Sequence, residues 1–258
     1  MSILTRIWAI ATNTVRQAIR SKLLYTLLFF ALVLIGGGVL VSSLSYVEHT
    51  RIVQDIGLAA IRVFSIGIAI FVGVGLIHGE VDRRTIYTIL SKPVSRSEFI
   101  AGKYVGLVLT IWLQLAVMTM AFVCVSFAVG APVDAGHFAA VGLIAVELML
   151  MIAVATLFSS FTTPMLASIF TLGTYFAGHL SRDLLQLGKQ ADSQGLETVT
   201  RVLYWSLPDL ESFNLTVEAV HGLAIPASAI WLPVAYGLLY SLLLLVGAAF
   251  VFERRDLR

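Results

Sequence analysis

Six stretches of this chain have the length and apolarity, or nearly so, of helices that cross a lipid bilayer: residues 23–41, about 56–77, 104–129, 138–158, 165–180 and 230–252. Roughly 30 Å of hydrocarbon at 1.5 Å per residue takes about 20 residues, and the helix is demanded because lipid offers no partner to a backbone N–H or C=O. The second stretch carries Arg62 near its start and the fifth is short. Over 258 residues only 12% are charged, 59% are hydrophobic, and the mean hydropathy is +0.93. A soluble domain of this size carries about twice that charged fraction. The expectation is an all-α integral membrane protein, a single transmembrane domain over residues 1–258, with the bilayer as its first partner.

The positions of Lys and Arg set the orientation, because cytoplasmic loops carry the excess. Twelve of the seventeen fall on one side: Arg6, Arg16, Arg20 and Lys22; Arg83, Arg84, Lys92, Arg96 and Lys103; and Arg254, Arg255 and Arg258. Arg51, Arg62, Arg182, Lys189 and Arg201 fall on the other. Six spans with both termini cytoplasmic satisfy this distribution. A net charge of +2 is too slight for a nucleic-acid partner, which needs a basic face.

Ahead of the first span, Leu4, Trp8, Ala11, Val15 and Ala18 recur at helical spacing, while Arg6, Asn13, Gln17 and Arg20 gather on another face. This predicts an amphipathic interfacial helix, retained rather than cleaved as a signal, with a plain cytoplasmic extension of the first span as the alternative because nothing sharp breaks the chain near Lys22. The one long polar stretch, residues 181–228, places Leu196, Val199 and Leu203 at helical spacing between the breakers Pro208 and Pro226, and predicts short helices on the outer surface.

The link between the second and third spans, residues 79–99, reads GEVDRRTIYTILSKPVSRSEF. Glu80, Asp82, Arg83 and Arg84 precede Ile86, Ile89 and Leu90 at helical spacing, which predicts a short amphipathic helix ended by Pro93. Ser95 and Glu98 then form a capping-box pattern for the helix that follows. From physics alone the same charges equally describe a solvated loop that enforces topology.

Residues 79–103, with their acidic-x-acidic-basic-basic-Thr start, Ser-Lys-Pro-Val-Ser-Arg turn and Phe-Ile-Ala-Gly-Lys continuation, resemble the coupling region of type-two ATP-binding-cassette (ABC) transporter permeases. LYWSLPDLESFNL at 203–215 and FERRDL at 252–257 are similar to the branch related to copper-enzyme maturation transporters. The resemblance implies an exporter-type permease subunit in a bacterial inner membrane, paired with a second permease, identical or different, and with separate cytoplasmic ABC ATPases. It also implies a cytoplasmic coupling helix, with Glu80, Asp82, Arg83, Arg84 and Thr85 at or beside the ATPase contact. ATP and Mg belong on that ATPase. No cofactor is expected in this chain, because the nearest string to a phosphate loop, Ala101-Gly102-Lys103, has Ser97 where a glycine is needed and is followed by Tyr104.

Glu147 lies in the middle of the fourth span, where an ionisable side chain is a functional candidate by default. The competing role is a helix-locking carboxyl, with Gln114 or Thr119 as its expected partner. His78 and His179 stand near span ends, as histidines meeting water or headgroups do, and the sequence offers no His/Cys set for a metal. Gly36, Gly37, Gly38, Gly67, Gly73 and Gly75 suit close helix approach. Cys124, the single cysteine, lies in an apolar run, and Asn214-Leu215-Thr216 matches a glycosylation sequon. No catalytic constellation stands out. Two further readings stay open on the residues: a membrane scaffold that recruits an ATPase without transporting, and an ion-coupled transporter that uses Glu147.

Overall fold

The computed structural model describes residues 2–43, 48–82, 95–190 and 194–254. Among the described residues every regular element is helical: α1 (Ile3–Ile19), α2 (Lys22–Ser42), α3 (His49–Asp82), α4 (Arg96–Ala128), α5 (Ala135–Phe161), α6 (Pro164–His179), α7 (Ser181–Gln190), α8 (Gln194–Ser206), a 3-10 turn (Glu211–Phe213), α9 (Thr216–Val220) and α10 (Ser228–Arg254). Five of them, α2, α3, α4, α5 and α10, are long and apolar enough to cross a membrane. The 16-residue α6 is the short fifth stretch. It measures about 24 Å against roughly 30 Å of hydrocarbon.

Local chemistry explains where the helices begin. Ser95 accepts from the Glu98 N–H at 3.2 Å while the Glu98 carboxylate accepts from the Ser95 N–H at 3.2 Å, so the expected capping box forms in both halves. Asp134 caps α5 by accepting from the Gly136 and His137 N–H groups at 3.0 and 3.3 Å. Pro164 opens α6 one residue after Thr163, a position where its missing N–H costs nothing. Residues 162–163 alone separate α5 from α6, which forces the two helices into an antiparallel hairpin.

The core is built around α5, which touches α3, α4, α6, α9 and α10. Leu143, Ile144, Leu148, Leu150, Met151, Ile152 and Ala153 are fully buried there, together with Ile61, Ile68 and Ile70 of α3 and Leu107, Ile111 and Met118 of α4. By contrast α2 and α10 lie at the edge, with Phe29, Leu40, Leu239 and Leu243 more than half exposed. Such faces suit a lipid solvent.

The N-terminal helix departs from a simple amphipathic design. Leu4 and Trp8 of its apolar face are exposed, but Ala11, Thr14 and Ala18 are buried against α4. The helices meet where α4 carries Gly102 and Gly106. A Cβ at Gly102 would lie 2.7 Å from Ile10 Cβ, and one at Gly106 would lie 2.7 Å from the Ala11 carbonyl oxygen. The polar face joins the same contact: Arg6 pairs with Glu98 at 3.2 Å, and Lys103 Nζ donates to Gln17 Oε1 at 3.4 Å. The glycines expected to serve close approach fare differently. A Cβ at Gly38 would lie 3.3 Å from Ile56 Cγ2, while one at Gly36, Gly37, Gly67, Gly73 or Gly75 would touch nothing within 4 Å.

Candidate functional site

Glu147 is 1% exposed near the middle of α5, and three groups from three other elements extend a chain of charge from it. Arg62 Nε of α3 lies 3.5 Å from Glu147 Oε2. His179 Nε2, at the end of α6, lies 2.9 Å from Glu147 Oε1. The other ring nitrogen, His179 Nδ1, lies 3.2 Å from Glu211 Oε2 in the 3-10 turn. The expected partners are elsewhere: Gln114 donates to Met118 Sδ, and Thr119 donates to the Leu115 carbonyl, both within α4. A helical hydroxyl can share the carbonyl one turn back and so satisfies itself locally, whereas a buried carboxylate needs a cation. His179 is likewise not a water-facing histidine, since its side chain is 17% exposed between two carboxylates.

The polar stretch supplies more than surface helices. Residues 207–215 enter the bundle and seat Leu210 and Phe213 at 0% exposure. Gly178 makes room for them, because a Cβ there would stand 2.7 Å from Leu210 Cγ and 2.8 Å from the Pro208 carbonyl. Gly237 of α10 does the same for the Phe213 ring, which a Cβ would approach to 3.1 Å. Polar ties complete the seat. Arg62 donates to the Phe213 carbonyl at 3.2 Å, the Asp209 N–H donates to Tyr236 OH at 3.1 Å, and Arg182 pairs with Asp209 at 2.6 Å. Asn214, the sequon residue, donates to Glu211 Oε1 at 3.0 Å. Arg62 thus bridges a helix, a buried carboxylate and a loop carbonyl.

At the other end of α3 and α4, Lys103 is 2% exposed and also donates to the Leu76 carbonyl at 3.5 Å. Glu80 and Asp82 occupy the last turn of α3, so this helix extends into the charged link. Arg83, Arg84 and Thr85, and the helix expected through Ile86, Ile89 and Leu90, lie outside the described residues. No group of three His, Cys, Asp or Glu side chains able to hold a metal occurs among the described residues.

A bundle of membrane-length helices around a buried charge chain defines a multi-pass α-helical membrane protein. The family model described as ABC-2 family transporter protein matches residues 8–257, nearly the whole chain, and the chain belongs to that family. Membership makes it a transport component of the membrane and implies association with an ABC ATPase. The match is to the ABC-2 family as a whole and does not single out the copper-enzyme maturation branch. No curated protein matches this chain.

Proposed function

We propose that this chain is the permease subunit of an ATP-driven exporter, coupling hydrolysis in a separate ATPase to movement of a substrate across a bacterial inner membrane. The observation that carries the reading is the family match over residues 8–257 on a bundle with five membrane-length helices. In this reading α6 is the sixth crossing, both termini are cytoplasmic, residues 1–258 form one permease domain, and 181–228 lies on the outer side. A second permease subunit completes the pore. ATP and Mg are held by the ATPase, and this chain carries no cofactor of its own. The similarity of 203–215 and 252–257 to the copper-enzyme maturation branch supports placement near it.

Glu80, Asp82, Arg83, Arg84 and Thr85 form the ATPase contact. Chain order supports the role, because the link joins α3 to α4, two long helices that pack on each other in the core. Reversing the charge at Arg84 (Arg84→Glu) is expected to abolish co-purification of the ATPase or its stimulated turnover, and unchanged transport removes Arg84 from the contact. The ion-coupled reading loses ground on one observation: Glu147 is already engaged by Arg62 and His179, which leaves little of its charge for a transported ion.

A further inference from the structure

We propose that His179 is a proton-binding site: it holds an imidazolium shared by Glu147 and Glu211, and the bound proton latches residues 207–215 to the helix bundle. Both ring nitrogens of His179 face carboxylate oxygens. Nε2 faces Glu147 Oε1 at 2.9 Å and Nδ1 faces Glu211 Oε2 at 3.2 Å. A neutral imidazole has one N–H and turns a lone pair on its other nitrogen, which repels a carboxylate, whereas the imidazolium donates from both.

The surrounding charges support the same state. Arg62 and a charged His179 balance Glu147 and Glu211, so removing the proton leaves an uncompensated negative charge in a largely buried site. Among the described residues the other cation beside this pocket is Arg182 of α7, which feels the Glu211 charge but is paired with Asp209. Tyr175 of α6 meets the His179 ring edge-on at 4.7 Å, and Tyr236 of α10 accepts from the Asp209 N–H.

Proton loss acts asymmetrically. The Glu147 side chain is 2% exposed and keeps Arg62, while the Glu211 side chain is 40% exposed and can turn to water. Glu211 is therefore the tooth that lets go, and the 3-10 turn carrying Leu210 and Phe213 loosens. The ties Arg62 to Phe213, Asp209 to Tyr236 and Arg182 to Asp209 do not depend on that proton. The inference concerns this chain alone and does not rest on the ATPase reading.

The test uses the full chain in lipid nanodiscs. Nitrogen NMR of the ring-labelled protein, with the His179→Gln spectrum assigning the signal among five histidines, is expected to show both His179 nitrogens protonated near neutral pH. Raising the pH from about 6 to about 9 should deprotonate it and lower the hydrogen-exchange protection of 207–215 by about tenfold, after correction for intrinsic exchange. Glu211→Gln, which leaves the Glu147–His179 pair in place, should remove that pH dependence. Arg182→Gln should lower protection evenly while keeping it. A neutral His179 ring near pH 7, or protection of 207–215 that stays constant with pH in the unmodified chain, overturns the proposal.

Discussion

Replacing Glu147 tests the buried charge chain most directly. At 3.5 Å and an effective dielectric of about 20, attraction between Arg62 and Glu147 is about 5 kcal/mol before desolvation is counted. Most of that gain is offset by removing both ions from water, so the pair itself adds little net stability. Breaking it is another matter. Glu147→Leu strands Arg62, whose side chain is only 14% exposed, and a buried charge left without its partner costs about 3–5 kcal/mol. His179 loses its 2.9 Å contact in the same step. The double variant Arg62→Met with Glu147→Leu removes both charges and should recover most of the loss. Unfolding of the three variants and the unmodified chain in detergent, followed as a double-variant cycle, gives the coupling energy. If Glu147→Leu is as stable as the unmodified chain, or if the double variant is less stable than either single one, the pairing described here is wrong.

Two further outcomes follow from packing and capping. Gly106→Leu puts a side chain where even a Cβ would lie 2.6 Å from Thr14 Cβ and 2.7 Å from a backbone oxygen. It should cost at least about 1–3 kcal/mol and free α1, read as increased proteolysis or exchange over residues 3–19. Asp134→Ala removes the α5 cap and should cost about 0.5–2 kcal/mol, visible as fraying of the first α5 turn by hydrogen exchange. Hydrogen bonding from His137, reinforced by the helix N–H groups, holds the Asp134 carboxyl below the ordinary carboxylate range. Because the folded form binds its proton less readily, this contribution is complete above about pH 4 and fades as pH falls further. Loss of the cap between pH 5 and 7, read from the same exchange data, would contradict that sign.

The bundle was legible because lipid imposes a length on apolar runs, and the runs survive as helices through Arg62 and Lys103 alike. Ser95 and Glu98 announced a helix start because capping is a contact between residues three apart. Glu147 was conspicuous by its charge, but its partners were not. Arg62 reads from sequence as a blemish in a span and His179 as a span-end residue, since pairing between distant helices leaves no local pattern. Gly102 and Gly106 were missed although small residues four apart are a known sign of close packing. Leu210 and Phe213 hid for a different reason. They sit around a 3-10 turn in a polar stretch, too short to show periodicity.

Helix α3 runs unbroken for 34 residues, about 51 Å, well beyond the thickness of a bilayer. Arg62 is pinned to Glu147 and to the Phe213 carbonyl partway along it, leaving an arm of about 30 Å to Asp82. Pivoting on that pin by about 10° would sweep the far end through about 5 Å, and the Phe213 carbonyl sits at the fulcrum. The stiffness of one rod thus makes the geometry at one extremity of the molecule a readout of the other.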